Sequence, residues 1–85
     1  MAHSIEVKPS ADKVIDGLAE KARVRILKAI RGLAINPRPT GCKKLKSTDL
    51  YRIRVGDYRV IYEIHDDVLV VLVIKVGHRQ DVYQG

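Results

Sequence analysis

The chain has 85 residues, a length that suits one domain with a modest core. It is 46% hydrophobic and 31% charged, with no tryptophan and no phenylalanine, which excludes a disordered chain and leaves the packing to aliphatic side chains. A formal net charge of +6 points to an anionic partner: nucleic acid, an anionic membrane surface or an acidic protein.

The N-terminal stretch "MAHSIEVKPS" lacks the apolar centre of a secretory signal, so export is not expected. Within it, "SIEVKP" reads as a short strand ended by Pro9. Ser10 is placed to cap a helix, with Asp12 in its first turn favourable to the helix dipole. Val14, Ile15 and Leu18 continue it at helical spacing. Gly17 weakens it, and a break near Leu18–Glu20 makes a helical hairpin. In the second helix Ala22, Ile26, Ile30 and Leu33 form one apolar stripe, widened by Leu27 and Ala34, while Lys21, Arg25, Lys28 and Arg31 take the remaining faces. "NPRPTG", from Asn36 to Gly41, ends the helix in a loop because proline cannot continue it.

Cys42, the only cysteine, cannot form an internal disulfide, and a reducing cytoplasm suits it. The basic, irregular "CKKLKSTDL" follows. "LYRIRV" then alternates with period 2, with Tyr51, Ile53 and Val55 on one face and Arg52 and Arg54 on the other. "GD" at Gly56–Asp57 is a tight turn, "YRVIYEIH" resumes the alternation, and "DD" at Asp66–Asp67 turns again. "VLVVLVIKV" is almost continuously apolar and reads as a central strand covered on both faces. It is too short for a membrane span, so no membrane association is expected. One domain, residues 1–85, of the α+β class results: β-α-α-β-β-β, an antiparallel sheet with the helical hairpin packed on one face and the other face open.

From Arg38 to Arg59 there are seven Lys and Arg residues against two acids, Asp49 and Asp57, with tyrosines interleaved. Cations beside aromatic rings suit RNA, whose phosphates meet Arg and Lys while bases stack. Core packing explains Tyr51, Tyr58 and Tyr62 better, because aromatic residues commonly occupy strands. A merely solvated face explains Arg52 and Arg54 less well, because two like charges on one strand, close to Arg59 across a hairpin, repel unless an anion sits between them. His3, His65 and His78 are scattered and no acids gather around them, so neither a metal nor a cofactor is expected. No Gly-rich phosphate loop and no Ser/His/Asp pattern is present.

The hairpin "YRIRVGDYRVIYEI" and the terminal "VGHRQDVY", in that order and at that spacing, resemble the RelE/ParE toxin superfamily, closest to its RelE branch. The likeness covers nearly the whole chain and implies the RelE-like fold. It also implies a toxin of a type II toxin–antitoxin pair: a cytoplasmic endoribonuclease that enters the ribosomal A site and cleaves mRNA. The implied reaction is a transesterification without metal, in which a ribose 2′-OH attacks the adjacent phosphate. The implied partners are a RelB-like antitoxin, in a hetero-oligomer, and the ribosome with its mRNA. Matched residue by residue, Arg52 and Arg54 take the two basic positions of the first catalytic strand. Arg59 takes the phosphate-binding position, Arg79 the late arginine that protonates or stabilises the leaving group, and Tyr83 the tyrosine that orients substrate. Lys43, Lys44, Lys46 and Lys75 are expected to bind RNA. Well-known members of the family carry lysine at the positions of Arg52 and Arg54. Arginine keeps its proton up to a pKa above ~12 and is a poor base. Histidine titrates near neutrality, which makes His78 the natural substitute, with Lys75 the second candidate. Two other readings compete: a ParE-type, non-enzymatic inhibitor of DNA gyrase, and an inactive member that only binds antitoxin.

Overall fold

The structure is a computed structural model and describes residues 2–78. Its elements are β1 (Ser4–Val7), α1 (Pro9–Asp16), α2 (Glu20–Ile35), β2 (Lys43–Lys44), β3 (Leu50–Val55), β4 (Tyr58–His65) and β5 (Val70–His78). The strands form one sheet in the order β1-β5-β4-β3-β2. The α+β class and the helical hairpin on one face match the expectation. The sheet itself is mixed rather than wholly antiparallel: β1 runs parallel to β5, Ser4 beside Val70 to Val7 beside Val73. The helical hairpin lies between the first strand and the rest of the sheet, and it lets the chain re-enter in either direction. A short extra strand, β2, also extends the far edge.

Proline, rather than serine, starts the first helix. Pro9 occupies its first turn, where a missing N–H costs nothing, and Lys8 is the capping residue without a side-chain cap. Ser10 therefore lies inside the helix. The stripe of α2 behaves as its spacing demands, with Ile26, Ile30 and Leu33 essentially fully buried. They pack with Ala11 and Ile15 of α1 on Ile53, Val60, Tyr62, Val71, Val73 and Val76 of the sheet. The last three break strict alternation. A bulge shifts the β4/β5 register between Ile61 and Tyr62, so that Lys75 faces Ile61 but Val73 faces Tyr62. The extra residue keeps three valines on the helix side and turns Lys75 to the opposite face.

The loop after α2 is fastened to the sheet by polar contacts. The buried Tyr62 donates its hydroxyl to the Pro37 carbonyl at 2.7 Å, and its ring stacks on Tyr51 with centroids 6.0 Å apart. Burial raises the Tyr62 phenol above its ordinary range. Arg38 lies over the Tyr51 ring, 5.4 Å from its centre, and donates to Asp66 at 3.0 Å. The same carboxylate is 3.0 Å from His3 Nε2. Arg38 first, and His3 second, hold Asp66 below the usual carboxylate range. This clamp joins the N-terminus, the loop and the β4–β5 turn, and so delivers β2 to the sheet edge. No helix among the described residues is long and apolar enough to cross a membrane.

Candidate functional site

Residues opposite one another in an antiparallel ladder project to the same face. Arg54 lies opposite Arg59, and Arg52 opposite Ile61. Lys43 lies opposite Arg52. Ile61 is opposite Lys75, and Arg59 opposite Gly77. Their immediate neighbours Ile53, Val60 and Val76 are buried under the helices. Lys43, Arg52, Arg54, Arg59 and Lys75 therefore share the helix-free face, spread over four strands. At a strand spacing of about 4.8 Å the patch is roughly 14 Å wide.

The five cations are not equivalent. Arg52 is 5% exposed and Arg59 4% exposed. Lys43, Arg54 and Lys75 are exposed. The Arg52 Nε is buried and has no hydrogen-bond partner among the described residues. Arg54 and Arg59 stand face to face, with Cβ atoms about 4.5–5.5 Å apart by ladder geometry. Gly77, opposite Arg59, adds no side chain to this face. The Gly56–Asp57 turn sets this register. Gly56 has φ +60°, and a Cβ there would stand 3.4 Å from the Arg25 guanidinium.

A face of this kind attracts a phosphate. A guanidinium fork can donate to two phosphate oxygens at once. Among the described residues no three His, Cys, Asp or Glu side chains converge to hold a metal ion.

The remaining expected residues divide. Lys75 joins the arginines. His78 does not: it lies opposite Tyr58 on the helix-bearing face, in an edge-to-face contact with that ring at 5.9 Å. One residue of strand separates Gly77, on the arginine face, from His78, and that step reverses the side-chain direction. Lys44 is opposite Tyr51 and likewise on the other face. Lys46 sits in the exposed loop before β3. Arg79 and Tyr83 lie outside the described residues. Sequence reasoning missed the depth difference between Arg52 and Arg54, because alternation assigns a face and not a burial. It also missed the His3–Asp66–Arg38 clamp, whose members carry no shared motif.

The fold has known relatives. The family model of the ParE toxin of type II toxin–antitoxin systems matches residues 5–83. The archaeal RelE–RelB complex of Pyrococcus horikoshii OT3 contains a chain 30% identical, with a TM-score of 0.85, the match covering 95% of this chain and 99% of that one. The intact E. coli RelBE toxin–antitoxin complex contains a chain 29% identical, with a TM-score of 0.80 and coverage of 91% and 96%. The RelB–RelE antitoxin–toxin complex of Methanococcus jannaschii is similar at 26% identity and a TM-score of 0.70, covering 92% and 94%. The chain belongs to the RelE/ParE superfamily of toxins from type II toxin–antitoxin systems.

Proposed function

We propose that this toxin is a ribosome-dependent endoribonuclease that cleaves mRNA in the A site and is restrained by a RelB-like antitoxin. The observation that carries the reading is the gathering of Lys43, Arg52, Arg54, Arg59 and Lys75 on the helix-free face, with two of the arginines buried. The antitoxin is supported by the likeness to chains solved in RelE–RelB complexes.

In the reaction the 2′-OH loses its proton and O2′ bonds to phosphorus. The bond from phosphorus to O5′ breaks, and O5′ takes up a proton. The products are a 2′,3′-cyclic phosphate and a 5′-hydroxyl. Arg59 and Arg52 hold the non-bridging oxygens and stabilise the charge that grows on them. Exposed Arg54 and Lys43 hold the flanking phosphates. An arginine cannot accept the 2′-OH proton, whereas a lysine can once neutral. Lys75, diagonal to Arg59 across the β4/β5 ladder, takes that role in place of His78. Arg79 and Tyr83 keep the leaving-group and positioning roles that the family resemblance gives them.

In vitro translation followed by primer extension tests the reading. Cuts confined to ribosome-occupied codons, and lost in Arg59→Ala, are expected. The matching family model is the ParE one, which favours gyrase poisoning as the second reading. Intact mRNA beside accumulating gyrase–DNA cleavage complexes would replace the first reading with the second.

A further inference from the structure

The seat of β2 on β3 is unfavourable by itself. Lys43 lies directly opposite Arg52, and like charges in that relation repel. The strand is only two residues long, so few ladder hydrogen bonds offset the repulsion. The ion pairs among the described residues are His3–Asp66, Arg38–Asp66 and His65–Glu63, and none of them involves Lys43 or Arg52.

Support comes from the loop that leads into β2, and every step along it is fastened. The Pro37 carbonyl accepts the Tyr62 hydroxyl at 2.7 Å. The Arg38 N–H donates to Asn36 Oδ1 at 3.1 Å, while its guanidinium lies over Tyr51 and donates to Asp66 at 3.0 Å. Pro39 has a fixed φ, and its carbonyl accepts the Cys42 N–H at 3.0 Å. Lys43 is the next residue. Asp66 is anchored in turn by His3, whose Nε2 is 3.0 Å away and whose side chain is 10% exposed. The His3 N–H donates to the Ala34 carbonyl of α2 at 2.7 Å.

We propose that Asp66, on the β4–β5 turn, is a positioning residue for substrate: through Arg38 it holds β2 against β3 and keeps Lys43 beside Arg52. The proposal rests on the nuclease reading and adds to it a residue that touches no RNA. Its sign is distinctive. Asp66→Asn makes the toxin one unit more positive, so charge alone predicts tighter binding to RNA. Loss of the clamp predicts weaker binding instead, because Lys43 no longer stands where a flanking phosphate arrives.

Two readouts test this. The Leu45 N–H donates to the Leu50 carbonyl at 2.8 Å, so alternation makes Lys43 and Arg52 the next hydrogen-bonded pair. Amide exchange at those two residues of the free toxin therefore reads the seat of β2. In Asp66→Asn it is expected to rise roughly threefold relative to Val60 and Val73, the scale of an exposed ion-pair network. In single-turnover cleavage on programmed ribosomes, the half-saturating toxin concentration should rise by a similar factor at an unchanged limiting rate. Arg38→Gln should behave like Asp66→Asn, and Arg38→Lys, which keeps the pair, like wild type. In a Lys43→Met background Asp66→Asn should have no further effect. Unchanged relative exchange, tighter half-saturation, a loss confined to the limiting rate, or a full effect without Lys43 would overturn the proposal. If Asp66→Asn does not fold, Arg38→Gln carries the same measurements. If the toxin cuts no mRNA, the nuclease reading falls and exchange alone decides whether Asp66 holds β2.

Discussion

Replacing Arg52 with methionine sets fold stability against function. Arg52 is 5% exposed, and its buried Nε has no hydrogen-bond partner among the described residues. It also faces Lys43 directly across the β2/β3 ladder. An ion withdrawn from water without a partner destabilises a fold by up to several kcal/mol, and exchange for an apolar side chain of similar length is often neutral or stabilising by about 1–4 kcal/mol. Arg52→Met keeps the unbranched stem and removes both the buried charge and the repulsion from Lys43. A gain of about 1 kcal/mol is expected, raising Tm by roughly 4–8 °C for a domain of this size. Loss of one preorganised cation should lower mRNA cleavage by about 10²–10³. Thermal melts and single-turnover cleavage on programmed ribosomes read the two effects separately. A Tm lowered by 4 °C or more would make Arg52 a structural residue and refute the reasoning, as would unchanged cleavage.

The proton acceptor is separable by pH–rate profiles: Lys75→Met should remove the rise of rate with pH that a base produces as it loses its proton, and most of the rate, while His78→Gln leaves the profile in place. The clamp at Asp66 should be acid-sensitive. Its folded pKa lies below the ordinary range, so its contribution is present at neutral pH and disappears as pH falls through that depressed value. Melting curves of wild type and Asp66→Asn should accordingly differ at neutral pH and converge in acid. Gly56→Ala places a Cβ at φ +60°, 3.4 Å from Arg25, and should cost about 1–2 kcal/mol in urea unfolding.

Much of this architecture is legible in the sequence because it rests on periodicity. The stripe from Ile26 to Leu33 specifies a buried helix face, and alternation from Tyr51 to Tyr62 puts the arginines opposite the core. Features that lack a period were not legible. β2 is two residues long and shows no alternation. The bulge beside Ile61 and Tyr62 leaves no mark in a run of valine, leucine and isoleucine, yet it decides which way Lys75 points. His3 and Asp66 meet across 63 residues through the parallel placement of β1, which local reasoning does not reach. His78 looked suitable by chemistry, but the strand register sets it one residue out of phase with the arginines.

In the proposed reaction the helix-free arginine face directs attack by the ribose 2′-OH. Single-turnover reactions on ribosomes carrying an mRNA with either ribose or 2′-deoxyribose at the A-site cleavage position test it most directly. The ribose message should be cut to a 2′,3′-cyclic phosphate and the deoxyribose message should remain intact. Equal cutting of both messages, or a 3′-hydroxyl end on the ribose product, would contradict the mechanism.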